Sequence, residues 1–261
     1  MKILFIGDIV GKNGRETVER NLAGLKKKYQ IDFVIANGEN VTHGKGIIYN
    51  HYKNLLKTGV DCITLGNHYD SKSEIKDYID GATSIIRPYN LEKEFPGTGT
   101  VLYKGDQYSI RVTNLLGRAF MEEKVKNPFD CLKEILEHEE RADIHIVDFH
   151  AEATGEKQCM GWAFDGQVSA VLGTHTHVQT RDARILPNGT AFMSDVGMVG
   201  AYNGILGDKK EAVINRVWHD LPGRFEVDDR DDSVLSAVVL DIDPETGRAQ
   251  DIIPVYLLEK K

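Results

Sequence analysis

The chain has few cysteines and no long apolar run, and both absences narrow the classes of protein to which it can belong. Its three cysteines, Cys62, Cys131 and Cys159, are odd in number and widely spaced, so they predict neither a disulfide framework nor a Cys-x-x-Cys metal site. Reduced thiols are typical of the cytoplasm, which is the expected location. No apolar stretch is long enough to span a membrane, and the opening run Lys2–Ile6 is too short for the core of a signal peptide.

An excess of basic residues is also absent. The formal net charge is -8 and the pI is near 5.6, which argues against an extended nucleic-acid-binding surface, because such a surface is basic. A small anionic ligand held by metal ions is compatible with this charge. With 41% hydrophobic residues, 28% charged residues and only 7 prolines, the chain is typical of a globular protein rather than of a disordered one.

Hydrophobic periodicity predicts alternating strands and helices, followed by further strands. The expected strands are 1–6, 33–36, 62–65, 98–103, 109–114, 143–149, 168–172, 190–194, 234–242 and 252–258, and the expected helices are 15–29, 52–57, 73–79 and 130–141. The first part predicts a parallel sheet with right-handed crossovers, and strands 98–103 and 109–114 predict a hairpin. Because so many strands exceed one open sheet, we expect an α/β fold with two sheets packed face to face and helices outside. With no linker or repeat, residues 1–261 are expected to form a single domain.

A pair of histidines follows one of the predicted strands. The segment Gly173-Thr174-His175-Thr176-His177 closes the apolar run Val168–Leu172. Side chains two positions apart on a strand point the same way, so both imidazoles can reach one metal cluster at the carboxyl end of the strand. Taken alone, the segment is equally compatible with two surface histidines in a loop.

Four other predicted strand ends carry similar polar side chains, which are Asp8, Glu39 with Asn40, Asn67 with His68, and His150. Taken singly, each has a structural explanation, such as a helix cap for Asp8, turns for the asparagines, and a core position for His150. Ligand sites of parallel sheets lie beyond the carboxyl ends of the strands. Because these residues all fall at such ends, we interpret them together as one catalytic metal site.

The candidate ligands are two carboxylates, two amides and three imidazoles, namely Asp8, Glu39, Asn40, Asn67, His150, His175 and His177. This set of nitrogen and oxygen donors suits manganese, iron or zinc, and it disfavours copper(I) or an iron–sulfur cluster. Seven side chains are too many for one ion and suit two ions that share a carboxylate. Two divalent cations with two carboxylates and a bridging hydroxide leave a net charge of about +1, which would attract a phosphate ester. His68, next to a ligand, is the candidate proton donor for the departing alkoxide.

These segments resemble, in order along the chain, the five motifs of the calcineurin-like metallophosphoesterases. The motifs are Gly7-Asp8, Asn37-Gly38-Glu39-Asn40, Gly66-Asn67-His68, Phe149-His150 and Thr174-His175-Thr176-His177. More narrowly, residues 38–40 with 43–46, 173–180 and 195–198 are similar to the YmdB-type branch of 2′,3′-cyclic-nucleotide 2′-phosphodiesterases. The resemblance covers essentially the whole chain. It implies a four-layer αββα sandwich of two mixed β-sheets flanked by helices, with a di-iron or di-manganese centre.

The resemblance also implies a role for each ligand. One ion would bind Asp8, Glu39, Asn40 and His177, and the other would bind Glu39, Asn67, His150 and His175, with Glu39 as the bridge and His68 as the proton donor. The chain departs from the wider superfamily at Val10, which replaces the histidine of an Asp-x-His motif, and at Glu39, which replaces an aspartate. After His68 the sequence reads Tyr69-Asp70-Ser71 where the branch has Thr-Trp-Asp, so contacts to a leaving group or base there stay open.

The expected function is hydrolysis of 2′,3′-cyclic nucleotides, with 3′,5′-cyclic nucleotides as further candidates, by a metal-bridged hydroxide and His68. The expected cofactors are two transition-metal ions per chain, iron first, manganese next and zinc third, and the expected partner is a small nucleotide substrate. Two alternatives stay open, namely a phosphomonoesterase (a nucleotidase or phosphoprotein phosphatase) on the same centre, and a regulatory protein that chiefly binds a nucleotide or a partner. A homo-oligomer is also left open, as are the roles of His43, Lys45 and residues 195–198.

Overall fold

The buried apolar runs of the sequence form two mixed β-sheets. The computed structural model describes residues 1–230 and 232–260. The strands are β1 Lys2–Ile6, β2 Asp8–Ile9, β3 Phe33–Asn37, β4 Cys62–Thr64, β5 Ile85–Ile86, β6 Thr100–Lys104, β7 Ser109–Leu116, β8 Ile144–His150, β9 Ala170–Thr174, β10 Arg184–Ile185, β11 Ala191–Met193, β12 Met198–Ala201, β13 Ser233–Asp243 and β14 Arg248–Glu259. The helices are α1 Gly11–Tyr29, α2 Tyr49–Thr58, α3 Ile75–Tyr78, which continues as a 3-10 turn over Ile79–Gly81, α4 Pro128–His138, α5 Thr154–Ala163 and α6 Lys210–His219.

Each sheet combines a parallel centre with antiparallel additions. The first sheet has the order β2-β12-β13-β1-β3-β4-β5, with β14 paired to β13. In it β1, β3, β4 and β5 run parallel, and β13 pairs with β1 in the antiparallel direction. The second sheet has the order β10-β11-β9-β8-β7-β6, with β7, β8, β9 and β11 parallel. Parallel neighbours place their carboxyl ends at the same edge, which is where the site residues of both sheets lie.

Alternation along the strands builds four layers. In β1, Ile3 and Phe5 pack in the core between the two sheets, whereas Leu4 and Ile6 pack in the core under the helices, as the two-residue period of a strand requires. Helices α1 and α2 cover the outer face of the first sheet. Helices α4 and α5 cover the outer face of the second sheet through Leu132 and Met160. The predicted αββα sandwich of two mixed sheets flanked by helices is therefore confirmed.

Several elements differ from the sequence prediction. The predicted hairpin forms, since β6 and β7 pair antiparallel, and the helix expected at residues 73–79 is shorter. Helix α5 was not predicted, because its glycines Gly155 and Gly161 oppose helix formation. Gly161 nevertheless allows the helix to pack closely on the sheet, since a Cβ at this position would lie 2.5 Å from the ring of Phe192 on β11. Close packing of helix on sheet thus overrides local propensity at this position.

Helix α6 lies outside the four layers and buries none of its side chains. The segment returns to the body where the Lys209 N–H donates to the Glu226 carbonyl at 2.7 Å and the Asp228 N–H donates to the Gly207 carbonyl at 2.9 Å. Trp218 is 76% exposed, so its ring adds little to the stability of a single chain. Neither α6 nor any other helix within the described ranges has the length and hydropathy needed to cross a membrane.

Candidate metal centre

Five strand ends from both sheets meet at one edge of the molecule. The first sheet supplies residues that begin β2 or follow β3 and β4, namely Asp8, Glu39, Asn40, Asn67 and His68. The second sheet supplies residues that end β8 or follow β9, namely His150, His175 and His177. Direct contacts connect these side chains across the two sheets. The structure therefore brings together all seven ligands suggested by the sequence, together with His68.

Three of the candidate ligands surround an imidazole nitrogen of a fourth, His150. His150 Nε2 lies 3.0 Å from Asn67 Oδ1, 3.1 Å from His175 Nδ1 and 3.2 Å from Glu39 Oε2. One donor atom each from Glu39, His150 and His175 lies within 4.8 Å of the other two. Oxygen and nitrogen donors at these separations have the size and chemistry of a site for one metal ion.

The other candidate ligands form a second group beside the first. His177 Nε2 lies 3.1 Å from Asn40 Nδ2 and 3.9 Å from Asp8 Oδ1. The Asn40 amide also donates to Glu39 Oε1 at 3.0 Å. Glu39 therefore faces the second group with Oε1 and the first with Oε2, and it is the carboxylate that the two groups share.

Burial and mutual charge set the protonation of the site. Asp8 and His150 are 0% exposed and Glu39 is 1% exposed. Burial, offset in part by His177, raises the pKa of Asp8 to about 6. Burial also disfavours a charged Glu39, but His150 and His68 hold the pKa of Glu39 well below its usual range. Burial opposes a charged His150 too, yet Glu39, with Asp8 and Asp148, raises the pKa of His150 to about 9.

Two features of the polypeptide fit a cation at this place. Asp8 Oδ1 is buried and has no hydrogen-bond partner among the described residues, which is costly for a carboxylate unless a cation or proton satisfies it. Beside Asn67, a Cβ on Gly66 would lie 2.2 Å from Glu39 Oε2 and 2.4 Å from His150 Nε2. A side chain at position 66 would thus fill the space between these donors. The donor set, the orphaned oxygen and the space kept free by glycine all match a metal centre.

Polar contacts that were not identified from the sequence orient two of the histidines. Thr174 Oγ1 donates to Asp148 Oδ1 at 2.7 Å, so it accepts the Nδ1 proton of His150 at 2.8 Å and leaves Nε2 facing the site. The Nε2 of His175 lies 3.2 Å from Glu152 Oε2, which leaves Nδ1 of His175 directed at His150. Carboxylates that fix the tautomer of a ligand histidine raise its suitability for metal.

A buried ion pair holds the loop that carries His175 and His177. Both histidines have positive φ angles, 101° and 65°, which are strained for residues other than glycine. Between them, Thr176 donates its N–H at 3.0 Å and its hydroxyl at 2.7 Å to Asp195 Oδ2. Lys157 Nζ donates to the same oxygen at 2.7 Å. Asp195 lies in a segment that the sequence singled out, but Lys157 lies on the unpredicted α5.

His68 lies beside the donor groups at the surface of the site. Its side chain is 25% exposed, its backbone N–H donates to Glu39 Oε2 at 3.1 Å, and its Nδ1 contacts Asn40 Oδ1 at 2.9 Å. With Nδ1 occupied, a proton passed to a bound molecule has to leave from Nε2. Residues 43–46 form a turn in which His43 and Lys45 are exposed, and their roles stay open.

Comparison with known proteins gives a consistent family. A model of the family described as YmdB-like protein matches residues 4–255. The 2′,3′-cyclic-nucleotide 2′-phosphodiesterase of Bacillus subtilis is 47% identical over 253 residues, which cover 97% of this chain and 95% of that protein. The crystal structure of a phosphatase from Mycoplasma pneumoniae matches with a TM-score of 0.95 and 39% identity, covering 100% of this chain and 94% of the other. At 12% identity, the calcineurin-like phosphoesterase YfkN of Bacillus subtilis shares the fold, with a TM-score of 0.55 and coverage of 98% and 90%.

Proposed function

This chain belongs to the YmdB-like family, and from that premise we propose that it is a metallophosphoesterase that hydrolyses phosphodiesters of small nucleotides. The proposed substrates are 2′,3′-cyclic nucleotides, on which the relative from Bacillus subtilis is named as acting, with 3′,5′-cyclic nucleotides as a second class. The observation that carries the proposal is the buried group of acceptor atoms around Glu39, with its partnerless Asp8 oxygen. Such a group is unstable without a cation or protons.

We propose that two metal ions occupy the two donor groups. One would be held by Asp8, Glu39, Asn40 and His177, and the other by Glu39, Asn67, His150 and His175. The position of Glu39 between the groups supports its role as the shared ligand. Nitrogen and oxygen donors without a thiolate favour iron or manganese, with zinc third. When bound, the ions would polarise the phosphate and activate a water molecule as the nucleophile.

His68 is proposed to supply the proton that the leaving alkoxide needs. In the structure Asn40 Oδ1 faces Nδ1 of His68 at 2.9 Å, and Asn40 Nδ2 faces Glu39 and His177. Metal binding through Oδ1 would require the amide to turn over, and Nδ2 would then donate to Nδ1 of His68. That bond would place the neutral imidazole's proton on Nε2. The tautomer required of a general acid would therefore follow from metal binding at Asn40. The exposed fraction of the His68 side chain gives it access to a bound substrate.

The proposal extends to the organisation of the protein. Because both sheets contribute ligands to one centre, we propose that residues 1–261 act as a single domain. The three cysteines are free thiols, which fits the reducing cytoplasm as the proposed location. The site residues lie together at one edge of the sheets. A small nucleotide is the proposed partner.

A substrate panel tests the function. Protein loaded with Mn²⁺ or Fe²⁺ is assayed with 2′,3′-cyclic AMP, 3′,5′-cyclic AMP, bis-p-nitrophenyl phosphate and p-nitrophenyl phosphate. We expect the diesters to be cleaved with higher kcat/KM than the monoester, because the relative from Bacillus subtilis that is 47% identical is named as acting on a cyclic diester. A preference for p-nitrophenyl phosphate would point to a phosphomonoesterase. Tight binding of the nucleotides without turnover would point to a regulatory protein.

A further inference from the structure

A cavity of about 560 Å³ opens beside His177, next to the candidate metal centre. Its wall is formed by the loop after β9, the start of β12, the loop after β12, and the strands β13 and β14. The side chains on which the argument depends are His177, Val178, Met198, Tyr202, Leu206 and Tyr256. Among the described residues, none that lines this cavity is Asp, Glu, Lys or Arg. Its volume is in the range of pockets that hold small molecules, about 300–1,000 Å³.

We propose that this cavity binds the nucleobase of the substrate while the phosphodiester lies at the metal centre. This inference rests on the proposed function and names a second part of the same site. No residue assigned to metal binding or proton transfer, apart from His177 at the boundary, takes part in it. The ligand class is a planar, uncharged heterocycle joined to a phosphodiester through ribose.

The position of His177 connects the two halves of the site. Its Nε2 faces Asn40 and Asp8, whereas its Nδ1 donates to the Leu206 carbonyl at 2.9 Å. One edge of the ring therefore belongs to the metal centre, and the other touches the loop that walls the cavity. A nucleotide whose phosphate lies at the centre would have its base within reach of this loop.

Four large side chains of the cavity are open to solvent in the structure, whereas Met198 is buried beneath them against Val10 and Val234. Val178 is 60% exposed, Leu206 49%, Tyr202 46% and Tyr256 51%. Such a group of large apolar side chains at the mouth of a catalytic site is typical of a ligand-binding surface. Flat aromatic and aliphatic surfaces suit a base, which stacks on them.

The polar groups of the cavity predict weak discrimination among bases. The Gln179 amide nitrogen is already committed to the carbonyls of Val196, Ala237 and Val255, at 3.2, 3.1 and 3.1 Å. Recognition by stacking tolerates any base, because every base has a π-face. We therefore expect adenine, guanine, cytosine and uracil cyclic nucleotides to be used with similar kcat/KM.

The experiment compares a substrate that has a base with one that lacks it. Wild type and the variants Tyr202→Ala, Tyr202→Phe and Tyr108→Ala are assayed with 2′,3′-cyclic AMP and with glycerol 1,2-cyclic phosphate. Tyr108 is the matched control, because it lies in the turn before β7, at the end of the parallel strands opposite His150. Far-UV circular dichroism and thermal unfolding confirm that each variant is folded.

For Tyr202→Ala we expect KM for 2′,3′-cyclic AMP to rise about 5- to 150-fold, the usual worth of one base–aromatic stack. Kinetics with the base-free substrate should be unchanged, Tyr202→Phe should restore wild-type KM, and Tyr108→Ala should match wild type with both substrates. If Tyr202→Ala raises KM equally for both substrates, or leaves KM for 2′,3′-cyclic AMP unchanged, the proposed subsite is overturned.

Failure of the proposed function is a separate outcome. If metal-loaded wild-type protein cleaves neither diester, the phosphodiesterase proposal is wrong. The proposal that the cavity binds a nucleobase is then tested by calorimetric titration with AMP. An unchanged Kd for AMP in Tyr202→Ala overturns the proposed subsite. A weaker Kd with the alanine variant alone, and not with Tyr202→Phe or Tyr108→Ala, supports it.

Discussion

The buried pair of Lys157 and Asp195 gives the sharpest test of how the protein supports its histidine loop. The two side chains are 2% and 1% exposed, and Nζ lies 2.7 Å from Oδ2. In Lys157→Met the Asp195 carboxylate keeps three neutral donors, the N–H and hydroxyl of Thr176 and the N–H of Gly197. Removing one partner of a buried pair costs about 3–5 kcal/mol. Because three hydrogen bonds remain, we expect the free energy of unfolding to fall by about 3 kcal/mol, at the lower end of that range.

The same substitution is expected to weaken metal binding. Without the ammonium group, the carboxylate is free to move away from Thr176, and the strained positive φ angles of His175 and His177 lose part of their support. Loss of a residue that orients metal ligands typically lowers metal affinity about 10- to 100-fold. We expect the Kd for Mn²⁺ to rise by that factor when chelator-treated protein is titrated by calorimetry.

Leu132→Ala is the matched control for this experiment. Leu132 is fully buried on α4, and its truncation costs about 2–5 kcal/mol, but it packs in the core on the outer side of the second sheet. Urea denaturation of the metal-free proteins gives the stability loss of each variant. If Lys157→Met and Leu132→Ala, at similar loss of stability, have the same Kd for Mn²⁺, then the pair is purely structural and the reasoning is refuted.

Four further substitutions separate metal binding, catalysis and pH dependence. Glu39→Ala should lose both metal ions, because Glu39 faces both donor groups, while His177→Ala should mainly lose one, because His177 lies with Asn40 and Asp8. Elemental analysis of the purified variants checks this. His68→Ala should keep both ions but lower kcat by about 10²–10⁴-fold on 2′,3′-cyclic AMP, with a smaller loss on bis-p-nitrophenyl phosphate, whose leaving group needs little protonation; equal losses would argue for a positioning role. Burial, with Arg111, lowers the pKa of His145 to about 3, so the folded protein keeps this imidazole neutral while the unfolded chain takes up a proton below pH 6.5. The contribution of His145 to the free energy of unfolding is therefore full above pH 6.5 and falls on acidification, by about 2 kcal/mol at pH 5. Urea denaturation at pH 7 and pH 5 should show that His145→Gln loses less stability on acidification than wild type does.

The ligand positions were accessible from the sequence because each follows a segment whose apolar pattern identifies a strand. Asp8, Glu39 and Asn67 lie within three residues of the ends of β1, β3 and β4, and His150 ends β8. Parallel strands bring such ends to one edge, so position along the chain predicts position in space. Local periodicity and one topological rule are enough for this part of the site.

The supporting contacts were not accessible in the same way. Lys157 lies on α5, whose glycines conceal the helix, and a lysine in a helix is expected to be solvated rather than 2% exposed. The cavity beside His177 is lined in part by Tyr202 and Leu206, which lie in a connecting segment without a periodic pattern. Contacts of these residues depend on how distant segments pack, which no local pattern encodes.

Asp148 combines a position that the sequence predicts with contacts that it does not. It occurs in the buried run Ile144–His150, and the two-residue period of a strand places it on the same side as His150, facing the first sheet. That much follows from the sequence, and it predicts an acidic group behind a ligand histidine. Its bonds to Thr64 and Asn37, which lie 84 and 111 residues away on the first sheet, exist only once the two sheets pack. Its bond to Thr174, 26 residues away, comes from the neighbouring strand β9 of the same sheet. Burial raises the pKa of Asp148, and these three donors counter that effect. The two residues that join the sheets thus also help keep a carboxylate available to orient His150 through Thr174.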